Sequence, residues 1–265
     1  MVDIVKMKVN KNEYKFQKGE NPLKYIKIDF SNESHISILY KFYNELFIKE
    51  FTNQDEADSL QSIIDQAKKV YKSGEYKYYC IIALKEREIY GGIIGDYFGK
   101  CNCGVIEYIV VNPRKRYLHI GTNLINTLIN YFNEDTKIYY KYLINHIDYC
   151  FFECENPNKV SSDIKNICIS RNHFWNKNNA YKLNFDYYQT SLEEDKNAVE
   201  CLDLCVIIIN DKLKFQKKIK TNKVIEFLEC NFKYSFNKNI DDNIELIKMK
   251  NDLKNIDKIL LTKMI

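Results

Sequence analysis

Arg114, Lys115 and Arg116, with His119 and Gly121 close behind, stand between an apolar run and a helical pattern in VIEYIVVNPRKRYLHIGTNLINTLINYF, residues 105–132. The run VIEYIVV is rich in β-branched and aromatic residues and reads as an interior strand. After Asn112 and Pro113, Ile120, Leu124, Leu128 and Phe132 recur at helical spacing, with Ile125 and Ile129 widening the stripe. A helix start leaves backbone N–H groups unpaired and carries a partial positive charge. Basic side chains beside it therefore make a seat for a phosphate or pyrophosphate. The same spacing also suits an ordinary strand–helix joint with solvated basic residues. Glu107, among Val105, Ile106, Tyr108 and Ile109, adds a carboxyl to an apolar strand. Burial there raises its pKa, which suits a general base or a structural hydrogen bond. Glu153 has a similar place in a later strand.

The elements that must position these residues follow from periodicity. Residues 25–30 alternate and form a first strand. Ser31 is a candidate N-cap for a helix over 33–49. Asn53-Gln54-Asp55 breaks the pattern, and a second helix runs through Leu60, Ile63, Ile64 and Ala67 to Val70, closed by Gly74. Strands 76–84 and 89–98 form a hairpin. The strand and helix of 105–132 follow, then a strand over 149–154, a helix over 162–178, and strands near 185–190 and 202–209. That order, β-α-α-β-β-β-α-β-α-β-β, predicts a mixed α/β sheet. Beyond 210 a Lys-rich bridge precedes a short helix (224–230) and a longer one from about Asp241. The second carries an apolar stripe of Ile244, Ile247, Leu253, Ile256 and Leu260, which predicts packing on the domain. The expected division is a domain over 1–210 and a helical extension over 211–265.

Read in register, V-N-P-R-K-R-Y-L-H-I-G-T-N-L (residues 111–124) resembles the acetyl-CoA signature of the GNAT acetyltransferase superfamily, V-x-P-x-x-R-x-x-G-x-G/A-x-x-L. The first glycine is replaced by His119, a residue compatible with helical dihedrals, so altered rather than abolished cofactor binding is expected. A second stretch, from Arg171 through Phe174, Trp175 and Ala180 to Leu183, Phe185, Tyr187 and Gln189, resembles an R-x-x-F-W-x-x-x-G-A…L-x-F-x-Y-x-Q-P pattern of one GNAT subgroup. Asn179 and Thr190 replace its Gly and Pro. Glu153-x-Glu155-x-Pro157 and Phe51-Thr52-x-x-Asp55-Glu56 are similar to further landmarks, and the subgroup carries a C-terminal helical extension.

The resemblance implies the GNAT acyl-CoA N-acyltransferase fold, with acetyl-CoA as co-substrate and an amine that attacks the thioester directly. The cofactor seat it implies comprises Arg116, Tyr117, Leu118, His119, Ile120, Gly121 and Thr122. The backbone of Val110 and Val111 would pair the pantetheine arm and supply a main-chain donor near Val110 to the thioester carbonyl. Phe174 and Trp175 would flank that arm, or simply fill the helix–sheet core. A lysine-like amine costs roughly 4 kcal/mol to deprotonate at neutral pH, so a base is needed. Glu107 and Glu153 are the candidates, because the fold splays their two strands where cofactor meets substrate. The tyrosine that often protonates the leaving thiolate aligns with Trp175, leaving Tyr181, Tyr187 or Tyr188 as substitutes. The acceptor pocket is expected between 48–56 and 187–192, with Phe47, Phe51, Tyr187 and Tyr188 as apolar walls and Asp55, Glu56 and Asp186 for an ammonium.

Composition bounds these readings. The 265 residues carry 40 basic and 36 acidic side chains, a net charge of +4 too balanced to argue for nucleic acid. No apolar run approaches the ~20 residues that span a bilayer, and the N-terminal stretch lacks the apolar core of a secretory signal. Nine cysteines without zinc-site spacing predict buried thiols in a cytoplasmic protein and no metal. The expected function is an acetyl-CoA-dependent N-acetyltransferase for a small-molecule or peptide amine. The alternative is a degenerate GNAT-fold protein that binds CoA or a protein partner. Neither the acceptor nor the oligomeric state is legible in the sequence.

Overall fold

A computed structural model describes residues 22–69, 74–192 and 196–264. Its centre is a nine-stranded mixed sheet in the order β1-β2-β3-β4-β5-β7-β6-β9-β8. Strands β1 (Lys24–Lys27), β2 (Tyr76–Lys85), β3 (Glu88–Phe98) and β4 (Cys103–Val111) form an antiparallel meander. β5 (Tyr149–Glu155) joins β4 in parallel through the long helix α4 (Ile120–Tyr139), as a parallel pair requires. β7 (Leu202–Ile208) then inserts between β5 and β6 (Ala180–Leu183), antiparallel to both.

The strands are apolar on both faces because helices cover both. One face carries α4 and α5 (Lys165–Lys177): Leu124, Leu128 and Phe132 pack with Ile81, Ile93 and Phe152. The opposite face is shared. Over β2–β4 lie α1 (Glu33–Phe42), a π-turn over 43–47, α2 (Ile48–Glu50) and α3 (Leu60–Lys68). Over β5 and β7 lie α6 (Thr221–Tyr234) and α7 (Ile244–Leu253), with Phe227 stacked on Phe151 at 3.9 Å.

Several expectations are corrected. Asn32, not Ser31, caps α1, its side chain accepting from the amides of Ser34 and His35. Helix α3 ends at Lys68, and Val70 lies outside the described residues. The strand expected over 185–190 is absent: β6 ends at Leu183, and only a Gln189–Val199 bridge remains. The stretch after 210 is not purely helical. It adds β8 (Lys218–Lys220) and β9 (Lys258–Lys263), and β9 pairs with β6 to extend the sheet. The predicted α7 stripe is displaced as well, since Leu246, Met249 and Leu253 are buried while Ile244 is 78% exposed. Ile256 and Leu260 lie beyond the helix, and the alternation of β9 buries Ile259 and Leu261 instead. Eight of the nine cysteines are buried, which assigns them to packing.

Candidate active site

The basic turn is built from its caps. The Asn112 side chain accepts from the Arg114 amide, and Pro113 opens a 3₁₀ turn over Pro113–Leu118. His119 then takes φ +56° and ψ +18°, the left-handed region, rather than the helical dihedrals expected. Histidine is among the side chains that tolerate this region. The first helical bond of α4 runs from Asn123 N–H to the His119 carbonyl. The amides of Ile120, Gly121 and Thr122 precede it and so have no intrahelical acceptor. Gly121 lies against the half-buried ring of Phe174, where an added Cβ would stand 2.9 Å from two ring carbons. Tyr117 and Leu118 are exposed, Tyr117 by 95%. Lys115 is drawn to Glu88 at 3.2 Å and over the Tyr90 ring at 4.6 Å. Arg116 reaches Glu50 of α2 at 3.0 and 3.2 Å. Glu50 also lies 3.6 Å from Arg171, which pairs with Glu155, so an ion-pair chain joins turn, α2, α5 and β5.

Beyond the turn, the sheet opens. The β4–β5 ladder ends at Ile106 and Phe152, so Glu107 and Glu153 are the first residues past the last pair on either strand. Glu107 is also the extra residue of a bulge, because Ile94 pairs with Tyr108 and Gly95 with Ile106. The bulge sends Glu107 and Tyr108 to one face, where strict alternation would separate them. Asn112 N–H bonds the Tyr90 carbonyl, so alternation commits Val110 to the β3 ladder and turns the backbone of Ile109 and Val111 toward the opening. The two backbone groups turned toward the opening flank Val110.

Glu153 shares the face of Phe151, and the buried Tyr187 donates its hydroxyl hydrogen to Glu153 Oε1. Burial pushes the Glu153 carboxyl up to about 7, and the negative charge of Glu56 adds to the rise, while the Tyr187 hydrogen bond opposes it. Burial raises Glu107 well above the carboxylate range, helped by the charges of Asp96 and Asp58. Tyr187 is raised far above an ordinary phenol by burial and by Glu153, so it stays protonated and suits a hydrogen-bond donor better than an acid.

An open cleft of about 720 Å³ adjoins this site, lined in part by Asn53, Asp55, Glu56, Lys159, Tyr188 and Glu200. Asp55, Glu56 and Tyr188 line this cleft, whereas Asp186 is exposed and does not. Asp55 is held low by hydrogen bonds from Asn197, whose amide and side chain reach it at 3.0 and 3.2 Å. Glu56 is raised by burial, and Glu155 and Asp55 add to its excess negative charge. Phe47 is no pocket wall: it is fully buried between Tyr43, Phe51 and Tyr108. Trp175, 6% exposed, stacks on Phe152 at 3.8 Å and belongs to the core, leaving Phe174 as the aromatic residue at the helix start. Sequence reasoning missed Asp96 and Asp58, although the single carboxylate inside GGIIGDYF was a signal of the same kind as Glu107. Glu50 carried no local signal.

Residues 38–150 match the model of the Acetyltransferase (GNAT) family. A structure described as a GNAT-family acetyltransferase from Bacteroides thetaiotaomicron aligns over 80% of this chain and 98% of its own, with 18% identity and a TM-score of 0.52. Another, from Staphylococcus aureus Mu50, aligns over 71% and 100%, at 18% identity and a TM-score of 0.47. No curated protein matches the sequence. The chain has the GNAT acyltransferase fold.

Proposed function

We propose, from a GNAT fold whose family match ends at the head of β5, that this chain transfers acetyl from acetyl-CoA to a primary amine, with Glu153 as general base. The observation that carries the reading is the opening between β4 and β5, where two carboxyl groups flank the first unpaired step. The residues present fit the cofactor: three amides without an intrahelical acceptor at the α4 start, a left-handed residue before them, and strand backbone turned toward the opening. Arg116, Tyr117, Leu118, His119, Ile120, Gly121 and Thr122 would hold its phosphates, Val110 and Val111 with Ile109 would border the pantetheine arm, and Phe174 would close the side. Acetyl-CoA would supply an acetyl thioester.

An ammonium entering along Asp55 and Glu56 meets Glu153, whose value near 7 leaves about half the population ionised at neutral pH. Glu153 removes the proton and Tyr187 fixes the carboxylate through Oε1, leaving the other oxygen for the amine. The backbone N–H groups of Ile109 and Val111 are placed to polarise a carbonyl in the opening. The acidic cleft favours a cationic amine, small or peptidic. In this reading residues 1–210 carry the transferase and 211–265 brace it.

Titration calorimetry of acetyl-CoA and CoA against wild type and an Arg116→Ala, Gly121→Trp double variant tests the seat. Micromolar binding that the variant loses is expected. Thiol release with a panel of amines, compared with Glu153→Gln, tests the base. Binding without turnover on any amine favours a degenerate CoA-binding protein, and absence of binding refutes the reading.

A further inference from the structure

Asp96, fully buried on β3, has both oxygens occupied by hydroxyl donors. Tyr76 O–H donates to Oδ1 at 3.0 Å, and Ser235 O–H donates to Oδ2. The Tyr76 oxygen accepts from Gln66 Nε2 at 2.5 Å, so its own hydrogen is directed at Asp96. Gln66 is anchored in turn to the Tyr234 carbonyl at 2.6 Å, at the end of α6. Glu107 is a third hydrogen-bonding partner of Asp96. Two carboxyl groups bond only through a proton, and an Asp96 receiving two hydroxyl hydrogens is the acceptor of the pair.

We propose that Asp96 holds Glu107 as the neutral carboxylic acid, and that Glu107 serves as a fixed hydrogen-bond acceptor for the N–H of the attacking amine, with Asp96 and Ser235 as positioning residues. The proposal rests on the transferase reading above. With its hydrogen committed to Asp96, Glu107 offers an oxygen lone pair and no charge. It orients the amine beside Glu153 without placing a second carboxylate there, which would drive the Glu153 value above the working range. The charged groups facing Glu107 are Asp96 from β3, Asp58 ahead of α3 and Glu153 from β5, and the phenols of Tyr76, Tyr78 and Tyr108 stand with them. Burial and these carboxylates raise Glu107; burial also raises Asp96, to about 6, against the hydrogen bonds of Glu107, Ser235 and Tyr76. Through Ser235, the residue after α6, the C-terminal region acts on the site.

Infrared difference spectroscopy of the intact protein tests the protonation without any acceptor. At about pH 9, roughly two pH units above the Glu153 value, a protonated carboxyl signal is expected in wild type. It should vanish in Glu107→Gln, persist in Glu153→Gln, titrate at lower pH in Asp96→Asn, and titrate no lower in Ser235→Ala, where the carboxyl pair has only lost a hydroxyl donor. A wild type without the signal, or a Glu107→Gln protein that keeps it, overturns the proposal even where acetyl transfer is observed. Turnover on the amine found active in the panel tests the role. Glu107→Leu, which removes the acceptor oxygen at similar size, should raise KM for the amine at least about tenfold, while Glu153→Gln falls at least about 100-fold in kcat. An amine KM unchanged in Glu107→Leu overturns the acceptor role.

Discussion

Glu153→Gln separates what the carboxyl does for chemistry from what its burial does to stability. An ordinary glutamate carboxyl stands at 4.5, and in the fold Glu153 stands at about 7. At ~1.4 kcal/mol per pH unit, this difference amounts to about 3 kcal/mol between the two ends of the window. A raised value means that the native state holds the proton more tightly than the unfolded chain. The stabilisation is therefore complete below pH 4.5 and is lost as pH rises through about 7. Above that, wild type carries a desolvated charge that glutamine lacks, and Tyr187 can still donate to the glutamine oxygen. Because Glu153 is only half-buried, water reduces the penalty, and about 2 kcal/mol is expected at pH 8. Urea denaturation of both proteins at pH 5 and pH 8 reads this directly. The variant should gain about 2 kcal/mol more over wild type at pH 8 than at pH 5, a rise of roughly 4–8 °C in Tm. A gain independent of pH, or a variant less stable at pH 8, would refute the argument. In the same proteins, wild-type kcat/KM should rise with pH to a plateau above about 7, and the variant should fall about 100-fold or more on that plateau and lose the rise through pH 7.

Three further outcomes follow from the contacts. Gly121→Ala forces a Cβ to 2.9 Å from the Phe174 ring, so acetyl-CoA binding by calorimetry should weaken about tenfold and stability fall by about 1–3 kcal/mol, with Phe174→Leu restoring part of both. Glu50→Gln releases Arg116 from its carboxylate, and acetyl-CoA should bind severalfold tighter with a steeper salt dependence. Trp175→Ala removes a ring stacked on Phe152, and about 3–5 kcal/mol of stability should be lost in urea melts, with less than about a threefold change in cofactor affinity.

The sequence by itself carried the local part of this protein. The strand, proline-initiated turn and helix of 105–132 stand where their apolar periodicity put them, because burial of a strand and of one helix stripe is decided within a few turns of chain. The hairpin and the hydrophobic β5 were legible for the same reason. Three features lay outside local pattern. The left-handed backbone at His119 depends on the turn, not on the helical preference of the residue. Strand β9 reads as the end of a helical stripe until β6 supplies its ladder, since short apolar runs fit either period. The electrostatics of the site needed the assembled fold most of all. Glu107, Asp96, Asp58 and Glu153 come from four separate stretches, and Ser235 from a fifth. Their proton affinities are set by mutual distance and exclusion of water, quantities that exist only once the sheet has closed around them.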